Sequence, residues 1–307
     1  MTSLAPGILE LAASQHGMLT TAQASTLGMG RRALLEAVRA GDLLHPGRSL
    51  YAVARLVERT SPVAWHRSLA AGALLLYADA VFTGVTAVLA HGIDVWGCDL
   101  TRPSIRRPIH RSTGMSSFRV RQARGITVRT PWGPASTVAD SLVQLAVDHG
   151  VEQGVVSGDH ALRTELVTQD DLERAIEGSS RAPGVHRARS MASFVCGKHE
   201  SVGESRCALE LTLAGIRVVP QVEVRDSFGR LVGRVDFLVE GTMVVVEFDG
   251  RMKFASGDPA VLWAEKKRED ALRALGYVVV RITWADLQVP GQVVAKVRRA
   301  MALAAAA

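Results

Sequence analysis

Three acidic residues stand close together in a segment that otherwise has the composition of a buried strand. VVVEFDGRMKF, residues 244–254, is a β-branched run that carries Glu247 and Asp249, and Asp236 precedes it in LVGRVDFLVE. An unpaired buried carboxylate is costly, and neighbouring carboxylates repel one another unless a cation lies between them. Oxygen ligands with no Cys or His nearby favour Mg²⁺ or Mn²⁺ over zinc. The pattern therefore predicts a metal site formed by Asp236, Glu247 and Asp249.

The strands around these acids form a predicted hairpin. If Glu240 and Gly241 make a two-residue turn, Val239 pairs with Thr242 and Asp236 lies opposite Val245. Glu247 then lies on the face of Asp236, as its diagonal neighbour at roughly 7–8 Å. This register predicts that the carboxylates converge on one side of the sheet, while the alternating apolar residues face the core.

Four motifs in order carry a family resemblance: VDFLVE, VVVEFDGRMKF, WAEKKREDALRALGY and VVRITWADL. From about residue 201 to residue 287 the chain resembles the PD-(D/E)XK nucleases, in particular a bacterial domain related to very-short-patch-repair endonucleases. The resemblance implies an α/β nuclease-like domain that hydrolyses phosphodiester bonds of DNA with Mg²⁺ or Mn²⁺.

The resemblance also implies catalytic residues. Asp236 and Glu247 match the acids of the motif, and Glu204 on the preceding helix matches a further acid, although Ser201 and Glu204 equally fit a helix capping box. Asp249 stands where the motif has a lysine. Lys253 is the predicted replacement, and Lys266 and Lys267 are alternatives from the next helix.

The first fifty residues predict three short helices and a β-hairpin. Thr20 and Gln23 form a capping box, GRRALLEAVRAG is an amphipathic third helix, and LLHPGRSLYAV is a hairpin about a Pro-Gly turn. Together these make a winged helix-turn-helix whose third helix would enter a major groove. We expect DNA contacts at Arg31, Arg32 and Arg48. The alternative is a small module that binds protein or nothing.

A looser resemblance covers the first 190 or so residues, which are similar to the winged-helix region of AbiEi-type antitoxins of abortive-infection systems. It implies DNA binding and raises the possibility of a toxin partner.

The segment 101–130 has eight arginines and no acid. Such a single-sign patch is an electrostatic footprint for phosphate, and it predicts DNA contacts at Arg106, Arg107 and Arg111. The alternative is a set of solvated strands and loops.

The chain has 307 residues, a net charge of +6 and three scattered cysteines. This composition predicts a cytoplasmic protein without a disulfide framework or a zinc site. The apolar run 68–90 is interrupted by Asp79 and predicts two core helices instead of a membrane span. Asp159 and His160 are interpreted as residues on a helix surface.

The predicted fold is a multidomain α+β and α/β arrangement. It has a winged helix-turn-helix at 1–58, a mixed α/β middle domain at 59–197 and a nuclease-like α/β domain at 198–307. The predicted function is that of a DNA-binding, metal-dependent endonuclease. The alternative is a non-enzymatic, antitoxin-like transcriptional repressor with an inactive nuclease fold.

Overall fold

A computed structural model describes residues 4–109, 113–114, 117–250 and 259–306, with the backbone alone for 113, 114, 259–262, 264 and 265. The chain divides into two compact units, Met1–Ser157 with Val167–Ala192, and Gly158–Leu166 with Ser193–Ala307. The predicted boundary near residue 58 falls inside the first unit, and the one near residue 197 falls inside the second.

The helices in chain order are α1 (Pro6–Ser14), α2 (Thr21–Thr26), α3 (Arg31–Arg39), α4 (Pro62–Leu76), α5 (Gly84–Ala90), α6 (Val138–His149), α7 (Val151–Arg163), α8 (Gln169–Gly178), α9 (Val185–Phe194), α10 (Val202–Leu213), α11 (Pro259–Ala274), α12 (Trp284–Leu287) and α13 (Gln292–Ala305). The strands are β1 (Met18–Thr20), β2 (Leu43–Gly47), β3 (Leu50–Val53), β4 (Val81–Phe82), β5 (Ser104–Arg107), β6 (Thr113–Gly114), β7 (Arg119–Gln122), β8 (Thr127–Thr130), β9 (Gly133–Ser136), β10 (Val218–Arg225), β11 (Leu231–Val239), β12 (Val244–Asp249) and β13 (Val278–Thr283).

The N-terminal part of the first unit has the predicted three helices and hairpin. The capping box of Thr20 and Gln23 at α2 is confirmed. The hairpin turn was placed wrongly: Pro46 and Gly47 end β2, and the chain reverses at Arg48 and Ser49, where Ser49 takes the left-handed conformation at φ 61°. Sequence reasoning also missed β1, which pairs with β3 to complete a three-stranded sheet.

This small sheet shares a hydrophobic core with the middle of the chain. Met18 and Leu50, both fully buried, pack in one cluster with Leu69 and Ala73 of α4 and with Phe82. A Cβ added at Gly72 would lie 2.8 Å from the Leu50 side chain, so α4 approaches the sheet closely. The neighbouring residues Leu19 and Tyr51 pack instead with Leu34 of α3 in a separate cluster. The N-terminal region therefore has a core of its own, and its sheet also joins the core that contains α4.

The middle region carries a six-stranded sheet in the order β6-β7-β5-β4-β9-β8. The prediction of two helices in the apolar run 68–90 is confirmed, since α4 and α5 occupy it with β4 between them. Within the described part of the chain, no helix is both long enough and apolar enough to cross a membrane.

The second unit is built on the sheet β10-β11-β12-β13, in which β12 and β13 are parallel. One face packs on α10 and α13 through residues such as Leu211, Phe237 and Val297. The other face packs on α11 through Val235, Val245 and Leu272. From α10 to β13 the elements follow in the order helix, three strands, helix and strand.

The predicted register of the β11–β12 hairpin was wrong by two residues. Phe237 pairs with Val246 and Leu238 with Val245. The reason lies in the turn: the Val239 carbonyl accepts from the backbone N–H of Thr242 at 3.2 Å, and the Thr242 hydroxyl accepts from the Val244 N–H at 3.1 Å. Thr242 thus belongs to the turn, and β12 begins only at Val244. When this register is continued, Asp236 lies level with Glu247.

Candidate nucleic-acid interface and carboxylate site

The outward face of α3 is basic. Arg31, Arg32 and Arg39 are exposed on it, whereas Leu34 and Ala37 turn inward and are buried. Leu35, expected in the apolar stripe, is instead 46% exposed between the arginines. Arg32 ion-pairs with Glu36 at 2.9 Å, but its side chain remains 93% exposed. Among the described residues, Arg31 and Arg39 have no ion-pair partner. A polyanion on this face would therefore replace at most the exposed ion pair of Arg32 with Glu36.

The wing presents Arg48 in its exposed turn. Its base is held close to the loop before β7, because the Ser117 hydroxyl donates to the Pro46 carbonyl at 3.2 Å. A Cβ at Gly47 would collide with Ser117 Oγ at 1.7 Å. Only glycine leaves room for this approach, and the contact fixes the wing on the unit that carries α3.

Arg106 lies in a different environment from the predicted one. It is 6% exposed, and its Nη2 donates to the Ile126 carbonyl and to the Thr127 hydroxyl at 3.1 Å. Burial lowers the pKa of its guanidinium, which the charge of Asp140 partly offsets. The prediction that Arg106 contacts phosphate conflicts with this placement, because the side chain ties β5 to β8.

The neighbouring arginines are also used inside the unit. Arg107 ion-pairs with Asp79 at 2.7 Å and lies over the Tyr77 ring at 4.1 Å. Arg119 pairs with Asp99 at 2.5 Å, and Arg121 pairs with Asp148. Arg119 and Arg121 alternate along β7 with Val120, which is buried. Arg111, the third expected DNA contact, lies outside the described residues.

In the second unit, Glu247 is held by a cation that sequence reasoning missed. Its Oε1 lies 2.8 Å from Arg268 Nη1, with side-chain exposures of 11% and 23%. Arg268 shares its helix face with Leu272, one turn later and fully buried. Lys266 and Lys267 are exposed on other faces of α11. The helical period thus selects Arg268 instead of either lysine to face the sheet.

Asp236 contacts a different part of the sheet. Its Oδ2 accepts from the Phe248 backbone N–H at 2.7 Å, in place of a ladder hydrogen bond. Its charge also acts on Cys207 of α10: burial raises the pKa of that thiol, and Glu210 and Asp236 raise it further. Asp249 is half-buried at the end of β12, level with Thr283 on β13.

Glu204 performs the capping role that its spacing allowed. Ser201 Oγ accepts from the Glu204 N–H at 3.2 Å. The Glu204 carboxylate accepts in turn from the Ser201 hydroxyl at 2.8 Å and from the Glu200 N–H at 2.9 Å. Gln221 donates a further bond at 3.0 Å. Both carboxylate oxygens therefore have donors.

The predicted acids do not form a ready-made metal site. In the ranges described here, the only group of three ligand-type side chains whose ligand atoms all lie within 4.8 Å is Asp159, Cys196 and His199. Oxygen donors suit Mg²⁺, but a third converging ligand is lacking among the described carboxylates. The predicted base Lys253 lies outside the described residues.

The Asp159 group was missed by sequence reasoning. Asp159 was interpreted as a surface residue but is 1% exposed. Its partners Cys196 and His199 lie 37 and 40 residues farther along the chain, in the segment between α9 and α10. The short CGKH spacing was the available signal.

Comparison with known proteins bears on the N-terminal part of the chain. Residues 8–54 match the family model described as a transcriptional regulator, AbiEi antitoxin. No curated protein matches the chain. Among solved structures, the chain is similar to the RV2827C protein from Mycobacterium tuberculosis at 20% identity, with 66% of this chain and 79% of that chain covered and a TM-score of 0.39. A score of this size does not establish a shared fold.

Proposed function

We propose that the protein is a sequence-specific, duplex-DNA-binding transcriptional regulator of the antitoxin type, with α3 as the reader helix. The observation that carries this proposal is the exposed face of α3, with Arg31, Arg32 and Arg39 around Leu35. The family-model match over residues 8–54 supports it.

The chemistry of that face suits a major groove. Arginine forms bidentate bonds to guanine and strong contacts to phosphate, and an apolar side chain can contact the thymine methyl group. Residues at the start of a reader helix lie nearest the base edges, so Arg31 and Arg32 are the residues expected to determine sequence. Arg48 in the wing is placed to contact the backbone, which positions the protein without reading sequence.

The experiment is selection of duplexes from a random pool by the full chain, followed by fluorescence anisotropy on the selected sequence and on a scrambled one. The double variant Arg31→Ala with Arg32→Ala should lose about 10–100-fold in affinity for the selected sequence. Arg163→Ala with Arg181→Ala removes the same charge from exposed positions outside α3 and should change affinity far less. Equal losses in both variants, or no selected sequence, would contradict the proposal.

A second activity, DNA cleavage at the carboxylates with Mg²⁺ or Mn²⁺, is favoured by one observation. The register brings Asp236 level with Glu247, next to a cationic side chain, Arg268. Plasmid incubated with either metal should be nicked by the native chain and not by Glu247→Gln, with Glu240→Gln as the matched control in the exposed turn. If no cleavage occurs, the protein acts as a regulator without nuclease chemistry.

The antitoxin resemblance also suggests a protein toxin as partner. Co-purification of the full chain with the product of a neighbouring gene tests this proposal, and a chain that purifies alone in the presence of that product contradicts it.

A further inference from the structure

A buried ion pair lies beside an exposed thiol in the second unit. Asp159 comes from α7, while Cys196 and His199 come from the segment between α9 and α10. Asp159 and His199 are 1% and 6% exposed, whereas Cys196 is exposed. No part of the DNA-binding surface or of the carboxylate hairpin uses these three side chains.

The Asp159 carboxylate is fully partnered. Its Oδ1 accepts from the backbone N–H groups of Cys196 at 2.9 Å and Gly197 at 3.4 Å. Its Oδ2 lies 2.6 Å from His199 Nδ1. An ionised carboxylate is tolerated in the interior only when it is paired and hydrogen-bonded. These contacts supply that condition, and they place the Nδ1 proton on the Asp159 side of the ring.

The imidazole is held in its charged form. Burial alone would lower the pKa of His199. The contacts of the ring with Asp159 and Cys196, and the charges of these two groups, outweigh burial and raise the pKa of His199 to about 10. At neutral pH the ring is therefore an imidazolium. Its positive charge is shared between the buried carboxylate on one side and the sulfur on the other.

The sulfur lies against the ring. Cys196 Sγ is 3.4 Å from His199 Nε2 and 3.7 Å from Nδ1. A sulfur in line with the Nε2 bond direction would be much farther from Nδ1, so the contact is with the charged ring as a whole. A positive charge against the sulfur, together with access to solvent, is the kind of environment in which reactive cysteines lie.

The other two cysteines lack this arrangement. Cys207 is buried, and burial raises the pKa of its thiol. Cys98 is half-buried, and burial raises its pKa to about 11. Both remain protonated thiols at neutral pH. The chain therefore contains its own internal controls.

We propose that Cys196 is a thiol-modification site, at which the buried His199–Asp159 pair places a positive charge against a sulfur that exchanges with small disulfides. Cys196 releases its proton to water, its sulfur attacks one sulfur of the disulfide, the S–S bond breaks, and a new bond joins Sγ to that sulfur. The other half leaves as a thiolate and takes a proton from water. Cys196 is oxidised to a mixed disulfide and the small disulfide is reduced to one free thiol and one bound half.

A metal site fits these residues less well. The short Nδ1–Oδ2 distance of 2.6 Å is that of a charge-assisted hydrogen bond, which leaves the sulfur and Nε2 as ligands. Structural zinc sites have four protein ligands and catalytic sites three. The three side chains satisfy one another as a row of sulfur, imidazolium and carboxylate, but two ligands are too few for a zinc site.

The test uses the full native chain at neutral pH, with glutathione disulfide and iodoacetamide as probes. Modification of each cysteine is followed over time by peptide mass spectrometry, in the native chain and in the chain unfolded in urea. Cys196 should be the cysteine modified in the native chain, at a rate about tenfold or more above its rate in urea. In urea the three cysteines should react at similar rates.

Two variants sharpen the test. Cys196→Ser should abolish modification of the native chain, and His199→Gln should lower the native Cys196 rate to that of the unfolded chain. If His199→Gln does not fold, the ratio of native to unfolded rates in the unmodified sequence still decides. A ratio near one overturns the proposal. The proposal is also overturned if the purified chain retains one zinc ion and Cys196 reacts only after a chelator has removed it, since that result assigns the cluster to a metal.

Discussion

The arginines of α3 and those of the segment 101–130 are put to opposite uses. On α3, Arg31 and Arg32 point into solvent. In the segment 101–130, Arg106 is buried against β8, and Arg107 and Arg119 pair with Asp79 and Asp99. The first set leaves its charge available to a ligand, whereas the second uses its charge to hold strands and loops together.

The difference shows why local charge density is a weak guide to a binding surface. The segment 101–130 contains no acid, yet Asp79 and Asp99 precede it and Asp148 follows it. The fold brings these acids to the arginines and neutralises them in pairs. Charge that is neutralised internally adds little to the field that attracts a polyanion, so the predicted phosphate-tracking surface is reduced to its exposed members.

The sharpest contrast should come from Arg106→Ala. This change removes two hydrogen bonds from a buried charged group and leaves the Ile126 carbonyl and Thr127 without that donor. We expect a loss of about 3 kcal/mol in the free energy of unfolding, measured with urea. Arg124→Ala, at an exposed position in the same segment, should cost no more than about 0.5 kcal/mol. Unchanged stability with weakened DNA binding would show that Arg106 contacts phosphate after all.

The next effect concerns acid stability in the same region. His66 Nδ1 donates to the Leu100 carbonyl at 2.8 Å, and Nε2 of the neutral ring accepts from the Thr86 hydroxyl at 2.9 Å. Burial lowers its pKa to about 4 from an ordinary value of 6.5. As the pH falls below 6.5, His66 binds a proton in the unfolded chain but stays neutral in the folded chain until about pH 4.

Stability should therefore fall between pH 6.5 and pH 4, by an amount on the order of 3 kcal/mol. Calorimetry across this range should show a shallower decline for His66→Asn, which cannot charge. A decline equally steep in both proteins would assign acid sensitivity to the paired carboxylates alone.

A smaller effect should distinguish the α3 arginines by their salt dependence. The logarithm of DNA affinity should fall linearly with the logarithm of salt concentration, and the double variant Arg31→Ala with Arg32→Ala should reduce that slope by up to about 2. Its urea unfolding should match that of the native chain, because both side chains are exposed. If stability drops while the slope stays constant, the two arginines support folding, and the contrast with segment 101–130 disappears.

The smallest effect is expected at Arg107, whose ion pair with Asp79 is partly solvated, with side-chain exposures of 26% and 40%. Such pairs contribute less than about 1 kcal/mol. Arg107→Ala should shift the urea midpoint only slightly, and Asp79→Asn should give a similar shift. A much larger loss in Arg107→Ala alone would locate the stabilisation in its contact with the Tyr77 ring.

Local patterns predicted the elements, and distant contacts decided their details. The capping residue Thr20 marked the start of α2 correctly, because a capping box is complete within four residues. The predicted register of the β11–β12 hairpin was wrong, because the register depends on the hydrogen bond that the Thr242 hydroxyl accepts inside the turn. The partner of Glu247 was missed because an arginine on the next helix, not a nearby lysine, reaches it.

The same limit applies to Asp159. Its neighbour in the sequence, His160, suggested an ordinary helix surface, while its actual partner His199 is forty residues away. The spacing of residues in the sequence indicates contacts within one helix or strand. The cation that pairs with a buried carboxylate such as Asp159 comes from another part of the chain.

The core that β1 and β3 share with α4 has a thermodynamic consequence. Met18 and Leu50 pack with Leu69 of α4 and Phe82 of β4, while the next residues on the same strands, Leu19 and Tyr51, pack with Leu34 of α3. Because β1 and β3 contribute to both cores, α3 and the six-stranded sheet should melt in a single cooperative transition. A ligand that binds only the folded state stabilises everything that unfolds with its site. DNA held by α3 would thus raise the melting temperature of the sheet, and any partner that loosens the sheet would release the DNA.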